Sequence, residues 1–165
     1  MWCEIIERQL LQLERLHQGL SEYYRLIVEN KIPVVGEEVA QLNPYQKGVI
    51  EGYLNRGRAL YNYLTGNLFK TMLDLAGIPY RRSSEVLRLI GEEGVINLSH
   101  WLQLQWTFHL LEDHYPTFLE EGPPELYRAI EGFHQLDEVV NRCYQFINSR
   151  LQYLTAGGSS KNLAL

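Results

Sequence analysis

The sequence predicts an all-α protein, an antiparallel four-helix bundle in which one of the four helices is made of two shorter pieces. Three observations carry this. Long segments repeat apolar residues at close to a 3.6-residue period. Each segment is stopped by proline or glycine. No stretch has the period-two alternation and turn spacing of a strand. Residues 1–156 are expected to form one helical domain, and 157–165, with Gly157-Gly158-Ser159-Ser160, a flexible C-terminal tail.

The first helix runs from Glu4 to about Asn30, with Ile5, Ile6, Leu10, Leu13, Leu16, Leu20, Tyr23, Tyr24 and Ile27 on its apolar side. Lys31-Ile32-Pro33 stops it, because proline disfavours helical backbone in the residue before it. The connection up to Pro44 is long for a bundle and contains Val34-Val35, so it is expected to lie across the domain, partly buried. A second long helix runs from about Tyr45 to Leu75, with the seam Leu54, Tyr61, Leu68, Leu75, and ends at Ala76-Gly77-Ile78-Pro79. Ser83-Ser84-Glu85 opens a short helix with serine as N-cap and an acid in the first turn; it ends at Gly91-Glu92-Glu93-Gly94. A fourth segment runs from near Asn97 to about Tyr115. After the turn Glu120-Glu121-Gly122-Pro123-Pro124, the last helix spans Glu125 to about Thr155, with Leu126, Ile130, Phe133, Leu136, Val140, Cys143, Ile147 and Leu151 on one face.

The second helix holds Gly48, Gly52, Gly57 and Gly66, each costing about 1 kcal/mol relative to alanine in a helix interior. Gly52, Ala59 and Gly66 repeat at heptad spacing. Close approach of another helix along that stripe would explain them. A homodimer interface is slightly preferred to an internal contact.

Composition narrows the function. A chain of 165 residues fits one domain able to bury roughly 70% of its unfolded surface. No apolar run of about 18 residues predicts a membrane span. The start Met1-Trp2-Cys3-Glu4 lacks the basic-then-apolar order of a secretory signal. Cys3 and Cys143 make no disulfide framework, so a reduced, cytoplasmic protein is expected. The net charge of −5 argues against stable nucleic-acid binding, since Arg81-Arg82 with Arg88 is the one basic patch. A brief encounter with RNA stays compatible.

The densest group of reactive side chains is Trp106-Thr107-Phe108-His109-Leu110-Leu111-Glu112-Asp113-His114-Tyr115. His109 and Asp113, four apart, share a helix face and could hydrogen-bond or ligate a metal. The plainer reading is an exposed polar pair, and it is preferred. Glu131-Gly132-Phe133-His134 has the Glu-x-x-His form of di-iron bundles, but there is no second copy. His17 and His100 stand alone. The tyrosines at 23, 24, 53, 61, 63 and 80 are read as core rim or dimer interface rather than base-stacking platforms. There is no phosphate loop, Cys-x-x-Cys or serine-nucleophile setting, and neither a cofactor nor a metal is expected.

From about Asn43 to Phe146 the chain resembles the HEPN superfamily, in particular the small helical toxins paired with minimal nucleotidyltransferases. The resemblance is strongest over Ser84–Ile96, with its short helix and Gly94-Val95-Ile96 phrase. In that family an Arg-Asn-x-x-x-His-x-Tyr motif follows on the next helix. Aligning the tyrosine on Tyr115 puts Phe108 at the arginine, His109 at the asparagine and Asp113 at the histidine. A shift of one places His114 at the histidine, yet no arginine precedes it at an allowed distance, the nearest upstream being Arg88. Arg128 and His134 have the right spacing but lie in the wrong helix. The resemblance implies a catalytically degenerate homodimer that binds a nucleotidyltransferase-type partner in a toxin–antitoxin or related defence system, with Tyr115 as a modification or partner site. The alternatives are a metal-independent ribonuclease using His109, Asp113 or His114, and an unrelated structural bundle.

Overall fold

A computed structural model describes the backbone of residues 2–114 and 118–161, and the side chains of 2–114 and 119–152. Every element among the described residues is helical. α1 is Trp2–Glu29, and a 3-10 turn occupies Gly36–Gln41. α2 is Pro44–Tyr63; it passes through a π turn at Leu64–Leu68 directly into α3, Phe69–Leu75. α4 is Ser83–Glu92, α5 Leu98–Asp113, α6 Phe118–Glu121 and α7 Pro124–Lys161.

α1 packs mainly along α2 and also on α7; α5 packs on α7, and α2 touches both α5 and α7. The buried hydrophobic residues of α1 are Ile6, Leu13, Leu20 and Ile27, a seven-residue repeat that forms a narrow seam. Ile5, named as core from the sequence, is exposed, because the seam leaves it at the flank. On α7 the predicted face is confirmed: Leu126, Ile130, Leu136, Val140, Cys143 and Ile147 are buried.

Helix boundaries follow the chemistry of the caps. Asn43 and Gln46 form a reciprocal capping box, with Gln46 N–H donating to Asn43 Oδ1 at 2.8 Å and Asn43 N–H to Gln46 Oε1 at 3.0 Å. Asn97 Oδ1 accepts from His100 N–H at 3.1 Å and opens α5. The expected serine cap of α4 is replaced. Arg82 occupies the cap position without a side-chain bond, and Glu85 reaches back to the Arg81 N–H at 3.0 Å. The last helix also differs from expectation, continuing to Lys161 instead of ending near Thr155. Glycine and serine disfavour a helix by about 1 kcal/mol or less each and impose no hard stop such as proline does. Residues 162–165 lie outside the described ones.

The connection between α1 and α2 is partly buried as expected, though not through Val34-Val35: Val35 is exposed and Val34 half-buried. Ile32, Val39 and Leu42 are in the core. The 3-10 turn is covered by α6, where Gly36 N–H donates to Gly122 O at 3.3 Å. Gly122 has φ +57°, and a Cβ there would stand 2.3 Å from Gly36 O, so the approach of the two backbones requires glycine.

The Gly94-Val95-Ile96 phrase has a local physical meaning. Gly94, at φ +78°, reverses the chain after α4, Val95 N–H bonds back to Ile90 O at 3.2 Å, and Val95 and Ile96 enter the core. α7 holds this corner from outside. Arg142 donates to Gly94 O at 3.3 Å while pairing with Glu138, and Arg150 approaches Glu93 at 3.7 Å. Among the described residues no helix is long and apolar enough to cross a membrane.

Candidate functional site

The π turn sits where Thr65-Gly66-Asn67 interrupts an otherwise apolar seam. One extra residue per turn re-phases the helix, so that Leu64, Leu68, Phe69, Met72 and Leu73 are all buried although they span more than one ideal stripe. Upstream of it, α2 lies close against α5. A Cβ on Gly57 would be 2.9 Å from the Phe108 ring, so this glycine is what admits Phe108. Tyr61 stacks on Trp101 with ring centroids 4.4 Å apart, and its hydroxyl donates to Trp101 O at 3.3 Å. Burial pushes the Tyr61 phenol well above its ordinary value.

Beside this contact lies a small pocket of about 80 Å³, lined on α2 by Arg58, Tyr61 and Asn62, and on α5 by Gln105, Phe108, His109 and Glu112. Arg58 Nη1 stands 3.5 Å from Glu112 Oε1, a loose pair compared with the roughly 2.8 Å of a tight charge-assisted bond. Arg58 Nε is buried and has no hydrogen-bond partner among the described residues. The pocket therefore brings a guanidinium, an imidazole, a carboxylate and two amides together. Sequence reasoning missed Arg58 and Asn62. They are 51 and 47 positions before His109, and nothing in a linear motif reports which face of α2 meets α5.

Of the predicted catalytic residues, all of them described, only His109 lines this pocket. Asp113 is exposed in the last turn of α5, and His114 is the exposed cap of that helix. Phe108, at the position of the family's arginine, is 3% exposed and turned into the core. Tyr115 lies outside the described residues. The described residues contain no group of three or more histidine, cysteine or acidic side chains placed to hold a metal.

The small-residue stripe separates into different environments. A Cβ on Gly52 would fall 2.1 Å from the Tyr23 ring of α1, so Gly52 accommodates a contact within the chain. Ala59 and Gly66 are exposed, and a Cβ at Gly66 would meet open space.

Two histidines, His17 and His134, have interhelical partners. His17 of α1 donates from Nε2 to Asp137 Oδ1 of α7 at 2.8 Å. The Tyr24 hydroxyl of α1 lies 2.9 Å from His134 Nε2 of α7, and Tyr24 stacks on Phe133 at 4.1 Å. Glu131 is 3.7 Å from His134, so the Glu-x-x-His belongs to the α1–α7 contact. His100 lines a groove between α5 and α7 together with Arg128 and Glu131.

The fold and the pocket define an all-helical protein with a polar site between two helices. No protein-family model, curated protein or solved structure matches the chain.

Proposed function

We propose that this is a HEPN-like helical protein that has lost nuclease chemistry and works by binding, as a homodimeric component that engages a nucleotidyltransferase-type partner in a toxin–antitoxin or related defence system. The frame would be a four-helix bundle of α1, α2 with α3, α7, and the pair α4 and α5. One observation carries the reading. Phe108 stands where the resemblance places the catalytic arginine and is packed against Gly57 in the core, so that position offers no cation to a phosphate. The net charge of −5 agrees with a protein that does not hold RNA by its backbone.

A second reading rests on Arg58. Its guanidinium, arriving from α2, shares a pocket with His109 and Glu112 and could replace the missing arginine. In that case a ribose 2′-hydroxyl attacks the adjacent phosphorus. One of His109 and Glu112 takes the hydroxyl proton, the other gives a proton to the departing 5′ oxygen, and the products are a 2′,3′-cyclic phosphate and a 5′-hydroxyl. Arg58 would steady the charge on the phosphorane.

Incubating the purified protein with total RNA in the presence of EDTA separates the two. Intact RNA is the expected result. Cleavage that His109→Ala and Arg58→Ala each abolish would establish the second reading and overturn the first. The partner is tested by co-expression with the protein encoded beside it. A stable complex with a nucleotidyltransferase, with or without nucleotide added at Tyr115 by intact mass, supports binding. A neighbour of unrelated fold that neither binds nor modifies the chain argues for a purely structural bundle.

A further inference from the structure

The groove between α5 and α7 is built differently from the pocket beside Arg58. It consists of two adjoining cavities of about 290 and 820 Å³ that share Gln103, Thr107 and Arg128, within the size range of small-molecule sites. Its floor is Leu104 and Thr107 of α5 against Gly132 of α7, where a Cβ on Gly132 would stand 2.6 Å from Leu104 Cδ1. Three features point to a ligand. Arg128, which lines both cavities at their junction, has no ion pair among the described residues, a state it shares with Arg8, Arg15, Arg56, Arg81 and Arg82. Trp106 lines the wider cavity and is 67% exposed, the highest value among the exposed large hydrophobic residues, next to exposed Leu102. Tyr127, also exposed, lines the narrower one. An accessible indole beside an unpaired guanidinium offers a stacking face and a fork for an oxyanion at the same place. Glu131 lies only in the narrower cavity, which leaves the cation free of a facing carboxylate on the Trp106 side.

We propose that this groove binds a small planar aromatic ligand bearing an anionic group, the ring stacked on Trp106 and the anion held by Arg128. A phosphate or a carboxylate would satisfy Arg128 equally, so a nucleoside monophosphate and an aromatic carboxylic acid are the two sources of this chemistry. The site is independent of the reading given under the proposed function.

Isothermal titration with adenosine monophosphate, adenosine, inorganic phosphate and 1-naphthoate tests it. At least one of the monophosphate and the naphthoate is expected to bind, about tenfold or more tighter than adenosine or phosphate alone, because ring and anion each contribute. Binding of the monophosphate alone assigns a phosphate source, and binding of the naphthoate alone a carboxylate. Trp106→Leu and Arg128→Gln, both at exposed positions, should each weaken binding about tenfold or more while leaving the helical circular dichroism unchanged. Failure of both acids to bind at millimolar concentration, adenosine binding as tightly as its monophosphate, or affinity that survives both substitutions would overturn the proposal.

Discussion

Single side chains, present or absent, set the closest contacts of this molecule. Gly52 leaves the space that Tyr23 fills, and Tyr23 in turn carries the Arg56 guanidinium 4.8 Å above its ring. Gly48, four residues earlier, has nothing within 4 Å of its would-be Cβ. Gly52→Ala should therefore cost about 1–3 kcal/mol through overpacking, while Gly48→Ala should raise stability by about 0.5–1 kcal/mol through helix propensity. Urea denaturation of the two variants checks this, and equal effects would contradict the packing argument. The two cysteines divide in the same way. Cys3 is exposed, whereas burial pushes the Cys143 thiol up to about 12. Ellman's reagent should label one thiol per chain under native conditions and two after denaturation.

At the scale of elements, α2 owes its start to a local device and its path to a distant one. The Asn43–Gln46 capping box fixes the first turn, and Asn43→Ala should cost about 1 kcal/mol in urea denaturation with no change in helix content. Tyr53 then anchors the middle of α2 to α7, its hydroxyl donating to Ala129 O at 2.8 Å and Ile130 O at 3.1 Å. The α4–α5 corner is held by backbone geometry at Gly94 and by the arginines of α7. These exposed ion pairs contribute little to stability individually, about 0–1 kcal/mol. Their service is to register α7 against the corner. The site residues of α5 are divided by helical phase: His109 and Glu112 face α2, Gln103 and Thr107 face α7, and Phe108 fills the interior.

For the whole molecule, burial of weak acids predicts sensitivity to alkali. Cys143, ordinarily at 9.0, is held up to about 12, Tyr63 rises to about 12, and Tyr53 and Tyr61 rise further, all chiefly by desolvation. Each is neutral in the folded chain where the unfolded chain would ionise, so the unfolded state binds fewer protons and stability falls as pH rises. The loss begins near pH 9 with Cys143 and steepens above about 10 as the tyrosines join. Urea midpoints followed from neutral pH upward should drop over that window, and Cys143→Ala should delay the onset toward 10. A midpoint flat through this range would contradict the burial of these groups. Assembly is tested by sedimentation. A homodimer through exposed Ala59 of α2 and Gly66 of the π turn should be lost in Gly66→Leu, a position with open space for the side chain within the chain itself. A wild-type monomer at micromolar concentration would remove the dimer from the proposed function.

Helix content, the order of the helices, the seam of α7 and the buried α1–α2 connection were legible in the sequence, because apolar periodicity and proline or glycine stops act over a few residues. The π turn was not, since Thr65-Gly66-Asn67 has no signature distinct from weak helix formers. The Gly94-Val95-Ile96 phrase was legible too, though what it marks physically is a helix stop followed by two core residues. The sequence by itself determined that His109 and Glu112 share a helix end with Phe108. Only the tertiary structure decided that Phe108 points inward, that Arg58 supplies a guanidinium to His109, and that Arg128 meets Trp106 across a groove. The reason is that helical phase is a local property, whereas the pairing of faces depends on which side chains are missing at the crossings. Here Gly52, Gly57 and Gly132 set those crossings.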